Sequence, residues 1–162
     1  MTAIMTLRQV KHQECLEKLY DLNCDVVSVA GSMYIVKYHL NQVTLSYTYH
    51  ENKNGSYFLE RIKPYIMPAG DFQNELAVVD AIEIDIEQFK NAEKSSHFSE
   101  FIEDDKILTG IVRSFEDLFL YYNIESNDLE SLKSEINNVH NLIFEIKNKS
   151  SRVFTKKNPE FL

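Results

Sequence analysis

Lys37, His39, Ser46, Thr48, His50, Arg61 and Lys63 are the residues whose types and spacing most suggest chemistry in this chain. All fall within KYHLNQVTLSYTYHENKNGSYFLERIK, residues 37–63, at alternating positions. Alternation puts every second side chain of a strand on the same face of a sheet. A guanidinium offers a planar fork of donors, and nearby hydroxyls add neutral ones, which together suit a phosphate or carboxylate. Glu51 and Glu60 fall on the other parity, so the array is expected to hold no carboxylate. It reads as a binding face for a small anion or an acidic partner, on a protein whose own net charge is -8.

Other reactive residues lack that convergence. His39 and His50 lie about six residues apart along their strands, roughly 20 Å and too far for a shared metal. His12, His97 and His140 have no second ligand three or four residues away, so no metal site is expected. Glu83, Asp85, Glu87, Glu103, Asp104, Asp105, Glu116 and Asp117 could bind a hard cation in principle. The EDD run at 103–105 lacks the glycine and spacing of a calcium loop, however, and reads as solvated surface. Cys15 sits near the apolar side of a helix and Cys24 has no adjacent base. Both read as buried reduced thiols of a cytoplasmic protein. No G-x-S-x-G, P-loop or G-x-G-x-x-G occurs, so no catalytic residue and no cofactor is expected.

The elements that must position these residues follow from periodicity. Leu7, Val10, Leu16, Leu19 and Leu22 predict an amphipathic helix over 7–22, with Thr6 as N-cap. Turns at Gly31-Ser32, Asn41-Gln42 and Asn54-Gly55 then predict four antiparallel strands. Those turns pair Val29 with Tyr34 and Val27 with Val36, then Val36 with Tyr47 and Tyr38 with Leu45, then Tyr47 with Ile62. Val27, Val36, Tyr47 and Ile62 would form one inward row, with Arg61 outward. Pro64 and Pro68 would end the last strand. Residues 71–94 fit a helix capped by Asp71; read instead as a strand over 76–87, they would add a fifth member to the sheet. Ser95, Ser96 and the EDD run look like breaks.

Two further helices are predicted, over 106–123 and from Asn127 onward, where Asn127 and Glu130 resemble a capping box. The second carries Leu129, Leu132, Ile136, Val139, Ile143 and Ile146, spaced 3, 4, 3, 4, 3, which is a heptad seam for self-association or for packing on the 107–122 helix. The architecture expected is a single α+β domain over 1–162: a four-stranded antiparallel meander near 25–63, one face covered by helices, in the order αββββααα. Residues 147–162 read as a basic tail, frayed or reaching an acidic block on a second subunit.

Composition agrees with a folded protein: 44% apolar, 26% charged, four glycines and three prolines leave no disordered tract. No signal peptide or membrane span is evident. Charge is uneven, with 4 basic against 16 acidic residues over 71–130 and 6 against 3 over 131–162, which suggests that different surfaces meet different partners. Tyr34, Tyr38, Tyr47 and Tyr49 fall on the core parity, where they cannot stack on bases, so nucleic acid is not an expected partner. The expected function is a non-enzymatic protein–protein interaction or adaptor domain, small, acidic and self-associating as a homodimer. The alternative is a module binding an anionic ligand on the open sheet face.

Overall fold

A computed structural model describes residues 5–162. It is an α+β fold whose strands form one antiparallel sheet in the sequential order β1-β2-β3-β4-β5. Helix α1 spans Leu7–Asp21 and precedes β1 Asp25–Val29, β2 Met33–His39, β3 Thr44–Glu51, β4 Tyr57–Lys63 and β5 Met67–Phe72. Helices α2 Glu75–Ala92, α3 Phe98–Tyr121 and α4 Ser126–Lys149 follow. The chain divides into two compact units, Met1–Ile102 and Glu103–Leu162.

In the first unit, α1 starts as its sequence predicts. Thr6 Oγ1 accepts the Gln9 N–H while Gln9 Oε1 accepts the Thr6 N–H, so two otherwise orphaned donors are satisfied together. The stretch 75–92 is a helix, capped by Asn74 rather than Asp71. Val78, Val79, Ile82, Ile86 and Phe89 are its buried apolar residues, and their three- and four-residue spacing overrides the local alternation of AIEIDIEQF. They pack with Leu19, Val36, Leu45, Tyr47, Tyr49 and Leu59 in one core against the sheet. Full burial of each such aliphatic side chain stabilises the fold by roughly 1.5–3 kcal/mol.

Only the middle register is as expected, with Val36 opposite Tyr47 and Tyr38 opposite Leu45. The first hairpin turns through three residues, Ala30 to Ser32, with Ala30 and Gly31 at φ 48° and 78°. Val26, not Val27, therefore faces Val36, and Val27 is 53% exposed. The third hairpin closes over Asn52–Ser56, where Asn52 N–H donates to Ser56 O and Asn54 Oδ1 accepts from the Ser56 amide. That longer loop sets Tyr47 opposite Arg61 instead of Ile62 and turns Arg61 into the core. An irregularity at Ser46/Tyr47 restores the pairing of Ser46 with Lys63 beyond it.

Strand β4 ends at Lys63, directly before Pro64, as expected, but the sheet continues past both prolines. A fifth strand does exist, at 67–72 rather than 76–87, and it includes Pro68. As the last strand of the order it is an edge, where a missing N–H is tolerated. A register shift at Leu59/Glu60, with Leu59 opposite Gly70 and Glu60 opposite Pro68, absorbs Ala69.

The second unit holds the rest of α3, all of α4 and residues 150–162, which form no helix or strand. The EDD run lies inside α3 and breaks nothing. Helix α4 begins at Ser126 with Glu125 as N-cap and no side-chain capping bond, so the cap lies two residues before the expected Asn127. In the final segment Arg152 donates to the carbonyls of Phe154 and Lys157, and Lys157 pairs with Glu160. Among the described residues, no helix is long and apolar enough to cross a membrane.

Candidate functional site

The residue expected to anchor an anion is instead part of the core. Arg61 is 7% exposed, and its guanidinium donates to both oxygens of Asp85 on α2 at 2.7 and 2.9 Å. Tyr47 donates to the same carboxylate at 2.8 Å, and the rings of Tyr65 and Phe89 lie 4.5 and 4.8 Å from the guanidinium carbon. A buried charge is tolerated only when paired: here one guanidinium nitrogen, Nη1, donates to both carboxylate oxygens and two aromatic faces flank the group, while the buried Nε–H has no hydrogen-bond partner among the described residues. Burial, with Asp85 beside it, pushes the Tyr47 phenol far above its ordinary range.

The other members of the array are scattered in role. Lys37, Ser46 and Lys63 do form one row across β2, β3 and β4, although Ser46 itself is buried. His39 bonds Thr44 at 3.0 Å and Asp25 at 3.1 Å. Glu60 lies opposite Thr48, and the His50 ring packs on Phe58 at 5.6 Å. The face therefore carries three carboxylates: Asp25 and Glu60, which the corrected registers bring there, and Asp71, opposite Phe58 on β5. It also exposes Val27, Val29 and Met33.

A second polar node was not legible in the sequence. Glu75, in the first turn of α2, is 8% exposed and accepts from Tyr49 at 2.8 Å. It holds His12 Nδ1 at 2.8 and 2.9 Å, and His12 Nε2 meets the Tyr34 hydroxyl at 3.0 Å. The node borders a cleft of about 740 Å³ lined by Arg8, Lys11, Cys15, Tyr57 and Leu76 among others. Hydroxyl, imidazole and carboxylate in a line can relay a proton. Here both imidazole nitrogens and the carboxylate already have partners, so the chain is a satisfied network. Burial raises the Tyr34 phenol, with Glu75 adding to it. Burial, then Glu75, Glu14 and Asp80, pushes the Cys15 thiol up to about 11; burial, then Asp25, does the same for Cys24. Neither thiol is a nucleophile at neutral pH. Only Asn74 before Glu75 hints at this node locally, because His12 lies 63 residues from its partner.

The seam on α4 is the largest departure from ordinary packing. Leu129, Ile136, Val139, Ile143 and Ile146 are 37–50% exposed, and Leu132 is half-buried. Helix α3 exposes Ile107, Leu108, Ile111, Val112, Phe115 and Leu118 on its own stripe. Neither helix buries the other: no residue from 103 to 162 is buried. Among the described residues, no cluster of three His, Cys, Asp or Glu side chains is placed to hold a metal ion. The chain matches no protein-family model, no curated protein and no solved structure.

Proposed function

We propose that this is a non-enzymatic interaction protein that self-associates, with α3 and α4 as its working surface. The observation that carries this reading is that two 24-residue helices bear long apolar stripes while residues 103–162 include no buried side chain. Most helical stability in proteins comes from packing an amphipathic face, and exposed apolar patches beyond a few hundred Å² are rare on soluble monomers. Burying each stripe residue would contribute roughly 1.5–3 kcal/mol. Several such residues are enough to offset the cost of association, about 4–15 kcal/mol. The partner of simplest supply is a second copy, since most soluble oligomers are symmetric homo-oligomers. Light scattering at tens of micromolar tests it: a dimer or larger closed assembly supports the reading, and a monomer ends it.

A weaker reading keeps an anion on the open sheet face. Lys37 and Lys63 flank Ser46 in one row, two strands and so about 10 Å apart in the backbone, a gap that two flexible lysine side chains can close around a phosphate or carboxylate. Calorimetric titration with inorganic phosphate, repeated on Lys37→Ala with Lys63→Ala, decides it. Heat that disappears in the double variant supports the site, and no heat in the parent protein removes it.

A further inference from the structure

Helix α1 is held to the first unit differently from α2. Over residues 7–14 it has no buried side chain, and in the whole helix only Cys15 and Leu19 are buried. Leu7, Val10 and Tyr20 are exposed. Helix α2 buries Val78, Val79, Ile82, Ile86 and Phe89. Most helical stability in proteins comes from burying an apolar face, and α1 has little of that support.

Polar ties take its place. Arg8 pairs with Glu51 at the end of β3, His12 Nδ1 with Glu75 at 2.8 Å, and Lys18 with Asp80 at 2.6 Å and Glu83 at 2.8 Å. In each tie the base is on α1 and the carboxylate on the sheet or α2. Arg8 and Lys18 reach water, with side chains 74% and 36% exposed. Exposed pairs are individually weak and are screened by salt. At its C-terminal end the helix passes into β1 through Asn23, at φ 62°. That is a left-handed position which asparagine tolerates, and a single such residue between two elements suits a hinge. The free end, from Leu7 to Cys15, forms one wall of the cleft of about 740 Å³ that Tyr34 and Glu75 also line.

We propose that α1 is a hinged lid, which swings off the sheet and α2 about Asn23 while the rest of the first unit stays folded, at a frequency set by its ion pairs. Opening turns the cleft into an accessible surface bearing Tyr34, Tyr49 and Glu75, and brings Cys15 to solvent. An opening that breaks the contacts of one element costs less than global unfolding and is populated more often. Every residue involved lies in the first unit, so the lid is independent of self-association through α3 and α4.

Hydrogen–deuterium exchange of the full-length protein, read on peptides from α1 and α2, tests it. At about 0.1 M salt, α1 amides should exchange about tenfold or more faster than those of α2. Raising salt to about 1 M shortens the Debye length from about 10 Å to about 3 Å. It should speed α1 several-fold and leave α2 unchanged. One common rate for both helices, or an α1 rate indifferent to salt, would overturn the lid. Lys18→Met removes the tie to Asp80 and Glu83 and should speed α1 several-fold. The reversed pair, Lys18→Glu with Asp80→Lys and Glu83→Lys, should bring the rate back to that of the parent protein. No change in the first variant, or no recovery in the second, would mean that these ion pairs do not hold the helix. Labelling of the buried Cys15 by a methanethiosulfonate gives an independent readout. Its rate should follow α1 exchange across the same salt range. Fast α1 exchange with Cys15 unreactive would be fraying of the first two turns, and Cys15 labelling in step with α2 would be global unfolding; either ends the proposal.

Discussion

The two units obey the same helical periodicity and treat it oppositely. In α2, Ile82 and Ile86 sit four residues apart and are 0% and 1% exposed beneath the sheet. In α4, Ile136 and Ile143 sit one heptad apart and are 50% and 42% exposed. Spacing therefore says which face of a helix is apolar; it does not say what covers that face. The sheet supplies the cover for α2 within the chain. For α4 nothing in its own unit does, which is why its seam reads as an interface rather than a core.

Substitutions can break or sharpen this contrast. The largest effect is expected at the buried ion pair of the first unit. Asp85→Ala leaves Arg61 charged, desolvated and unpaired, and should cost about 3–5 kcal/mol in urea unfolding followed by tyrosine fluorescence. A loss below about 1 kcal/mol would mean that Arg61 reaches water, and the description of that core would be wrong. Next comes the same change made twice. Ile82→Ala should cost about 2–5 kcal/mol, while Ile143→Ala should change the unfolding of the dissociated protein by less than about 0.5 kcal/mol. Equal losses would erase the distinction between the units.

Self-association gives the reverse pattern. On the proposed self-association, Ile136→Glu with Ile143→Glu should leave the unfolding of the first unit unchanged and abolish any dimer in sedimentation velocity, because two carboxylates would be desolvated at the seam. The thiols test the first unit from another side. Burial pushes the Cys15 and Cys24 thiols up to about 11 in the native protein, against 9.0 for a free thiol. A pKa raised on folding contributes stability that is fully present below about pH 9 and is lost as pH rises to about 11. Stability should fall over that window, and Cys15→Ser with Cys24→Ser should flatten the fall; an unchanged slope would assign it to other groups. A smaller loss than at Asp85 or Ile82 is expected at the start of α1, where Thr6→Ala removes the capping box for about 1 kcal/mol in urea unfolding.

Several features were legible in the residues alone. Thr6 announces the start of α1, the row Val36–Tyr47 follows from Asn41-Gln42, and the heptad on α4 is plain. Arg61 was misread for a definite reason. Strand faces alternate with period two, so a loop longer by an odd number of residues inverts the side chains beyond it until a bulge resets the register. Asn54-Gly55 suggests a two-residue turn, yet Asn52, Asn54 and Ser56 satisfy one another across a five-residue loop. The network of His12, Glu75, Tyr34 and Tyr49 had no local signature either, because its members come from α1, α2, β2 and β3.

Sequence by itself determined which segments are amphipathic, where α1 begins, how β2 meets β3, and that the acidic and basic residues are unevenly distributed. These properties depend on neighbours a few residues apart, whose spacing is covalent. Tertiary structure decided the inward turn of Arg61, the use of Pro68 in an edge strand, and the exposure of the stripes on α3 and α4. Each depends on a partner distant in the chain, such as Asp85 for Arg61 at 24 residues' separation, and only folding brings such partners within bonding distance.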